Sequence, residues 1–464
     1  LDLVAGVPVV GRNERNYWIF WILSLVSIPV LIFFAGDSLG SYRLLIVPLL
    51  LVCMAAVLNY EITLGIFIIS LFVDAWLLYA RPSEVYALLL ILSFLLAYKF
   101  SLKDLDNELN KYFLLFVLCC FPSFLNYNNP ITYLSVIRLL VFFLVYLVVS
   151  VSSTNLEKIN KIFNVFIVMS VLNGLTVIYF ALLTGKRVYG FSGIMYVDYV
   201  GIGLTLCLIK ILYSDRFKIM WITAFIIQLL ALIFTQTRNA WITSGLILLC
   251  IIFQFIFFNK KLKIAAIKKV ILSFSILLIV LLVTFQAGRL NPTTYERLSS
   301  GKPNSDNELR INTFVTRVFI WNTAWNAFKS NPVIGVGLYN FKFVSRQYNT
   351  IDPVLYKLFV EKVSPHETFL EILCETGIIG FMGFSFFLFP WLRTARNNLK
   401  ICNNEQELYF ARMIFWSSIF ILFSMVMTDI WLQGHGLMLW GIIVGLSIAF
   451  RKIVNRNSTI SISI

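Results

Sequence analysis

Two residue types in this sequence are scarce or oddly placed enough to suggest chemistry. The chain has two histidines. One, His366, stands where Ser364-Pro365-His366-Glu367-Thr368 enters an apolar helix carrying Glu371, Glu375, Gly377 and Gly380. A neutral imidazole there can take the proton of an attacking hydroxyl. Arg238 and Arg317, with Lys186-Arg187, form the second group. A guanidinium stays charged and forks onto two oxygens of a phosphate at once. The plainer alternatives are a helix-entry histidine making an ordinary hydrogen bond, and arginines that snorkel at the ends of spans. The seven cysteines lack metal-ligand spacing, Cys119 and Cys120 being adjacent, and no metal site or cofactor is expected.

The elements that position these residues are apolar. Hydrophobic residues make up 59% of the 464 and charged residues 13%, with mean hydropathy +0.85. A soluble domain is about half apolar and a quarter charged. The fold expected is therefore all-α and polytopic. A span needs about 20 mostly apolar residues. Fourteen stretches qualify: 17–35, 44–59, 62–80, 85–98, 112–125, 131–151, 163–184, 192–213, 219–236, 239–258, 270–287, 367–391, 410–429 and 434–450. The fourth and fifth are short enough to be re-entrant, which leaves 12–14 spans. The first run is read as a span and not as a cleaved leader. Three regions result: spans over 1–287, a loop domain with amphipathic helices over 288–366, and spans plus a tail over 367–464.

Charge orients the bundle. Alternate connectors hold basic clusters such as Lys99/Lys103/Lys111, Lys210/Arg216/Lys218, Lys260/Lys261/Lys263 and Arg393/Arg396/Lys400. The opposite short connectors hold only Arg43, Arg81, Lys186, Arg187 and Arg238. The positive-inside rule puts the first set and both termini in the cytoplasm. His366, Arg317, Arg238, Arg187 and Lys186 then face outward. The net charge of +15 follows from this topology and from attraction to anionic lipid. With the basic residues at span ends and not along one stripe, nucleic acid is not an expected partner.

Two patterns give a more specific reading. One is R-x3-W-x2-A-x3-F-x3-P-x2-G-x-G-x2-N-F, on Arg317, Trp321, Ala324, Phe328, Pro332, Gly335, Gly337, Asn340 and Phe341. The other is H-x3-L-x4-E-x-G-x2-G, on His366, Leu370, Glu375, Gly377 and Gly380. Together, in one loop of a many-span protein, they resemble the C-terminal half of the O-antigen ligase/O-antigen polymerase superfamily of bacterial membrane glycosyltransferases, over roughly residues 180–450. Arg238-Asn239-Ala240-Trp241 resembles that family's S-R-G-A-W element, with Asn239 replacing the usual Gly. Lys186-Arg187-Val188-Tyr189-Gly190-Phe191 resembles its R-x2-G-x-F element, without the Asn-Pro that usually follows.

The resemblance implies a C-type glycosyltransferase fold in the bacterial inner membrane, with its active site facing the periplasm. The donor would be an undecaprenyl-diphosphate-linked oligosaccharide. Lys186, Arg187, Arg238 and Arg317 would hold its diphosphate, and His366 would meet the acceptor hydroxyl. Transfer would invert the anomeric centre and need no metal. Glu375, Trp321 and Asp429 could line the cavity. Two activities fit: a polymerase that uses another lipid-linked repeat unit as acceptor, with a chain-length-regulating co-polymerase as a possible partner, and a ligase that uses lipid A-core. The Ile-, Phe-, Lys- and Asn-rich composition leans towards the polymerase. A transporter or flippase is the alternative from another class. It would want ionisable residues through mid-membrane and broken helices in two related halves, whereas the motifs gather on one side. The other intramembrane charges carry a default functional suspicion, and Asp74 with Arg138 could be a structural pair between spans.

Overall fold

A computed structural model describes residues 60–72, 82–97, 107–126, 131–184, 188–190, 196–214, 217–258, 313–428, 430 and 434–462. Every regular element among these residues is helical. The helices are α1 (Tyr60–Leu71), α2 (Pro82–Ala97), α3 (Glu108–Cys120), α4 (Ile131–Ser152), α5 (Leu156–Thr184), α6 (Tyr196–Tyr213), α7 (Lys218–Phe234), α8 (Arg238–Phe258), α9 (Thr313–Ser330), α10 (Phe341–Val344), α11 (Pro353–Phe359), α12 (Thr368–Asn398), α13 (Glu405–Met427) and α14 (Gly434–Ile462).

The protein is an all-α polytopic membrane protein. Among the described residues, six helices are long and apolar enough to cross a bilayer: α4, α5, α8, α12, α13 and α14. Their outer faces are greasy, with Leu182, Leu183, Phe257 and Phe389 exposed, as lipid requires and water would not tolerate. These six correspond to the spans expected at 131–151, 163–184, 239–258, 367–391, 410–429 and 434–450, whereas α1, α2 and α7 are shorter apolar helices. The spans expected at 17–35, 44–59 and 270–287 lie outside those residues. The short fifth span is α3 followed by a 3₁₀ turn, Phe121–Asn126. Close helix pairs form where glycine removes the side chain. A Cβ on Gly445 would fall 2.7 Å from the Tyr146 carbonyl, and one on Gly441 would meet Phe142.

The basic ends of the spans meet at one end of the bundle. Lys158 pairs with Glu61 at 2.9 Å. Lys210 donates to Asn160 Oδ1 and lies over Trp221. Arg412 stacks on Tyr213 at 4.0 Å. Asn457 of α14 reaches Glu407 of α13.

A second, smaller core sits at the opposite end, built from Ile320, Ala324, Ala327, Val336, Phe341, Val344, Tyr356, Val360 and Cys374. Cys374 belongs to α12, so this unit runs past the boundary at 366 drawn from the sequence. The reason is a break within α12. Gly377 has φ 65° and ψ −167°, which no helix contains. The interruption removes the carbonyls of Cys374 and Glu375 from the helical ladder. Val336 N–H and Gly337 N–H donate to them instead, both at 2.9 Å. Ile378 and Ile379 in turn donate to the carbonyls of Pro332 and Val333. Only 378–398 is left to span, about 31 Å at helical rise, which matches a bilayer core.

Candidate active site

The first segment of α12 carries the site because both of its ends are tied to the same end of the bundle. At its start, the Thr368 hydroxyl donates to the Thr428 carbonyl (2.8 Å) and accepts from Ile430 N–H (3.1 Å). At its far end, the loop bonded to Cys374 and Glu375 also meets the end of α3. Asn126 Nδ2 donates to Gly335 O at 2.6 Å, and Asn340 Nδ2 to Asn126 O at 3.3 Å.

Four chain segments converge at the start of α12. Arg317 of α9 donates from Nη1 to the Met427 carbonyl at 3.1 Å. Asn239, second residue of α8, donates to the same carbonyl at 3.1 Å. One helical turn beyond Arg317, the Trp321 indole donates to the Pro365 carbonyl at 3.1 Å. His366 follows directly, with φ 55°. A left-handed backbone is uncommon for a residue other than glycine and costs about 1–3 kcal/mol, so its persistence points to a position fixed by its surroundings. Glu367 then caps α12, accepting from Phe369 N–H (3.1 Å) and Leu370 N–H (2.6 Å). Burial raises its carboxyl above the usual range, against the two amide bonds, which lower it.

His366, Arg317 and Trp321 are thus brought together at the end of the bundle opposite the basic clusters. Arg238 opens α8, beside the bonded Asn239. Lys186 and Arg187 lie outside the described residues. Gly190, three residues on, has φ 66° and rests against Asn173 and Thr176 of α5. Asp429 also lies outside the described residues, but its neighbours Thr428 and Ile430 are both held by Thr368.

Glu375 stands apart from this group. It is buried, and its two oxygens accept from Tyr339 N–H (2.7 Å) and Phe341 N–H (3.3 Å). The two glycine motifs are partners in the same clasp. A Cβ on Gly335 would strike the Glu375 backbone, and one on Gly377 the Val333 carbonyl. Sequence reasoning missed Thr368, whose signal was a hydroxyl in the first turn of an apolar helix. It also passed over what Asn239 does: an amide where the resembling family keeps glycine can hold Met427.

The comparisons with known proteins fall on this region. A family model described as O-antigen ligase matches residues 223–385. This stretch reaches from α7 past Arg238, Arg317 and His366 into α12. Over these residues the chain is similar to the O-antigen ligase family. A protein of Rickettsia typhi named "Putative polysaccharide ligase" is 31% identical over 94 residues, 20% of this chain and 23% of that protein. The chain therefore spans about a quarter of that relative in the matched region.

Proposed function

We propose that this protein transfers a glycan from a polyprenyl-diphosphate carrier to a hydroxyl of a second, lipid-borne acceptor, as a ligase does, on the outer face of the bacterial inner membrane. The observation that carries the proposal is that α9 ties together the His366 loop and the end of α13, Trp321 donating to Pro365 O and Arg317 to Met427 O, at the end of the bundle opposite the basic clusters. The positive-inside rule makes that end external. The ligase form is preferred to the polymerase because the family model and the Rickettsia protein are both described as ligases. The composition that leans to a polymerase has no chemical weight.

In this reading the acceptor hydroxyl attacks the anomeric carbon while His366 takes its proton. The bond to the diphosphate breaks, and charge builds on the leaving oxygens. Arg317 and Arg238, with Lys186 and Arg187, neutralise that charge in place of a metal ion. Attack from the face opposite the diphosphate inverts the centre.

The test is reconstitution. Purified protein receives undecaprenyl-diphosphate oligosaccharide alone, then with lipid A-core. Transfer that appears only on adding lipid A-core is the expected result. A ladder of longer lipid-linked glycans without it would make the protein a polymerase and leave the donor site standing. Activity should survive EDTA.

A further inference from the structure

We propose that α9 and the turn after it are seated in the head-group region of the bilayer leaflet on the side of the candidate site, through Val315, Val318, Trp325 and Val333. The occupant of this exposed apolar face is the membrane itself and not a second protein. The seat holds Arg317 and the His366 loop at the height of a lipid-borne phosphate, a consequence that rests on the transfer reading above.

Three sides of α9 have different tasks. Ile320, Ala324 and Ala327 fill the small core. Arg317 and Trp321 lie on the next flank and reach Met427 and Pro365. Val315, Val318 and Trp325 fall within about 80° of one another on the side away from the core, at roughly 100° per residue. All three are exposed, Trp325 by 44%. The Trp325 ring packs on Phe328 at 5.2 Å, and the Lys329 ammonium lies 6.0 Å from its centre. An exposed indole with a lysine beside it suits a membrane interface, where the ring sits at the head groups and the ammonium snorkels among them. No Asp or Glu occurs from Thr313 to Val333, so no carboxylate on this stretch is repelled by lipid phosphates.

Continuity with a lipid-facing surface identifies the occupant. Ile378, Met382, Phe386 and Phe389 are exposed along the spanning segment of α12, one ridge at helical spacing. Ile378 N–H and Ile379 N–H donate to the Pro332 and Val333 carbonyls. The turn after α9 therefore lies at the level where that segment begins. Val333, 53% exposed, carries the ridge past the break at Gly377. From there the apolar surface runs back along α9, a helix about 27 Å long, to Val315. A sugar platform would instead need uncommitted amides beside the exposed ring. Those of Asn322 and Asn326 are turned onto the Thr350 hydroxyl, at 3.0 and 3.4 Å.

The experiment places a nitroxide at Val318→Cys, Trp325→Cys or Val333→Cys of the cysteine-free full chain in phosphatidylcholine and phosphatidylglycerol nanodiscs. Ser330→Cys, exposed and about 120° round the helix from Val318, is the water-facing reference. Electron paramagnetic resonance compares collisions with oxygen, which partitions into lipid, against collisions with a water-soluble nickel chelate. The three labels should lie about 5–10 Å into the boundary between head groups and acyl chains, and the label at 330 in water. If Trp325→Cys fails to fold, the two valine positions decide. Labels that meet the chelate as freely as residue 330 would put the face in water and overturn the seat. Labels that neither reagent reaches would mean that another segment of the chain or a second copy covers it, which also overturns the seat. Val318→Glu with Val333→Glu should lift the helix from the bilayer and slow transfer about 10²-fold, the cost of misplacing reacting groups by about 1 Å. Unchanged transfer by that variant would break the link to the site. Labels at the expected depth in a chain that transfers no glycan would instead sink the proposed function and leave the seat standing.

Discussion

His366 is a histidine in a backbone conformation that favours glycine or asparagine. That supplies a clean control. His366→Asn keeps the left-handed turn without strain and removes the base. Expression and thermal stability should match wild type while transfer falls by about 10²–10⁴. His366→Asn at wild-type rate would reduce the imidazole to a structural role. For the diphosphate clamp, Arg317→Lys and Arg238→Lys should each slow transfer by roughly 10²–10³, because an ammonium cannot make the fork. Full activity of either Lys variant in reconstituted membranes would remove that residue from the clamp. Glu367 adds a pH effect. Its carboxyl is raised by burial, so the folded state binds the proton more tightly than the unfolded one. Its contribution to stability is then greatest below the ordinary carboxylate range and declines as pH rises towards the raised value. Glu367→Gln should flatten that decline in a thermal-shift series across weakly acidic pH.

At the scale of elements, α12 is two helices joined where a loop replaces part of the ladder. The E-x-G pattern looks from the sequence like a possible cavity lining, but the carboxylate is engaged by two backbone amides. Gly377→Ala and Gly335→Ala would each place a Cβ against backbone at positive φ. Each should lower stability by at least about 2 kcal/mol and lose activity with it. Glu375→Gln leaves one amide facing an NH₂ group and should cost about 1–3 kcal/mol. Donor affinity in the surviving folded fraction should stay near wild type. Normal melting with selective loss of donor binding would instead make Glu375 a substrate ligand.

At the scale of the whole molecule, the tertiary structure gathers the lysine- and arginine-rich span ends at one end and the candidate site at the other. Orientation across the membrane then decides everything proposed about substrates. Ser330→Cys and Asn155→Cys, both at exposed positions, test it in a cysteine-free background. An impermeant thiol reagent should reach residue 330 in cells with a permeabilised outer membrane, and residue 155 only after lysis. The reverse labelling would put the site in the cytoplasm, where the proposed donor is not presented.

The sequence by itself determined the class, because only membrane-spanning helices reconcile 59% hydrophobic residues with so few charges. It also singled out Arg317, Trp321 and His366, because scarce polar types in ordered motifs stand out against an apolar background. It left undecided what each motif residue does. Glu375 and His366 share one pattern, yet Glu375 closes a clasp and His366 sits at the meeting of four segments. That division depends on Gly377 breaking α12 and on Met427 offering one carbonyl to Arg317 and Asn239. These contacts join residues far apart in the chain. Local pattern cannot encode such pairings, because they exist only once the spans have packed and the loop has replaced part of a helix's own hydrogen bonds.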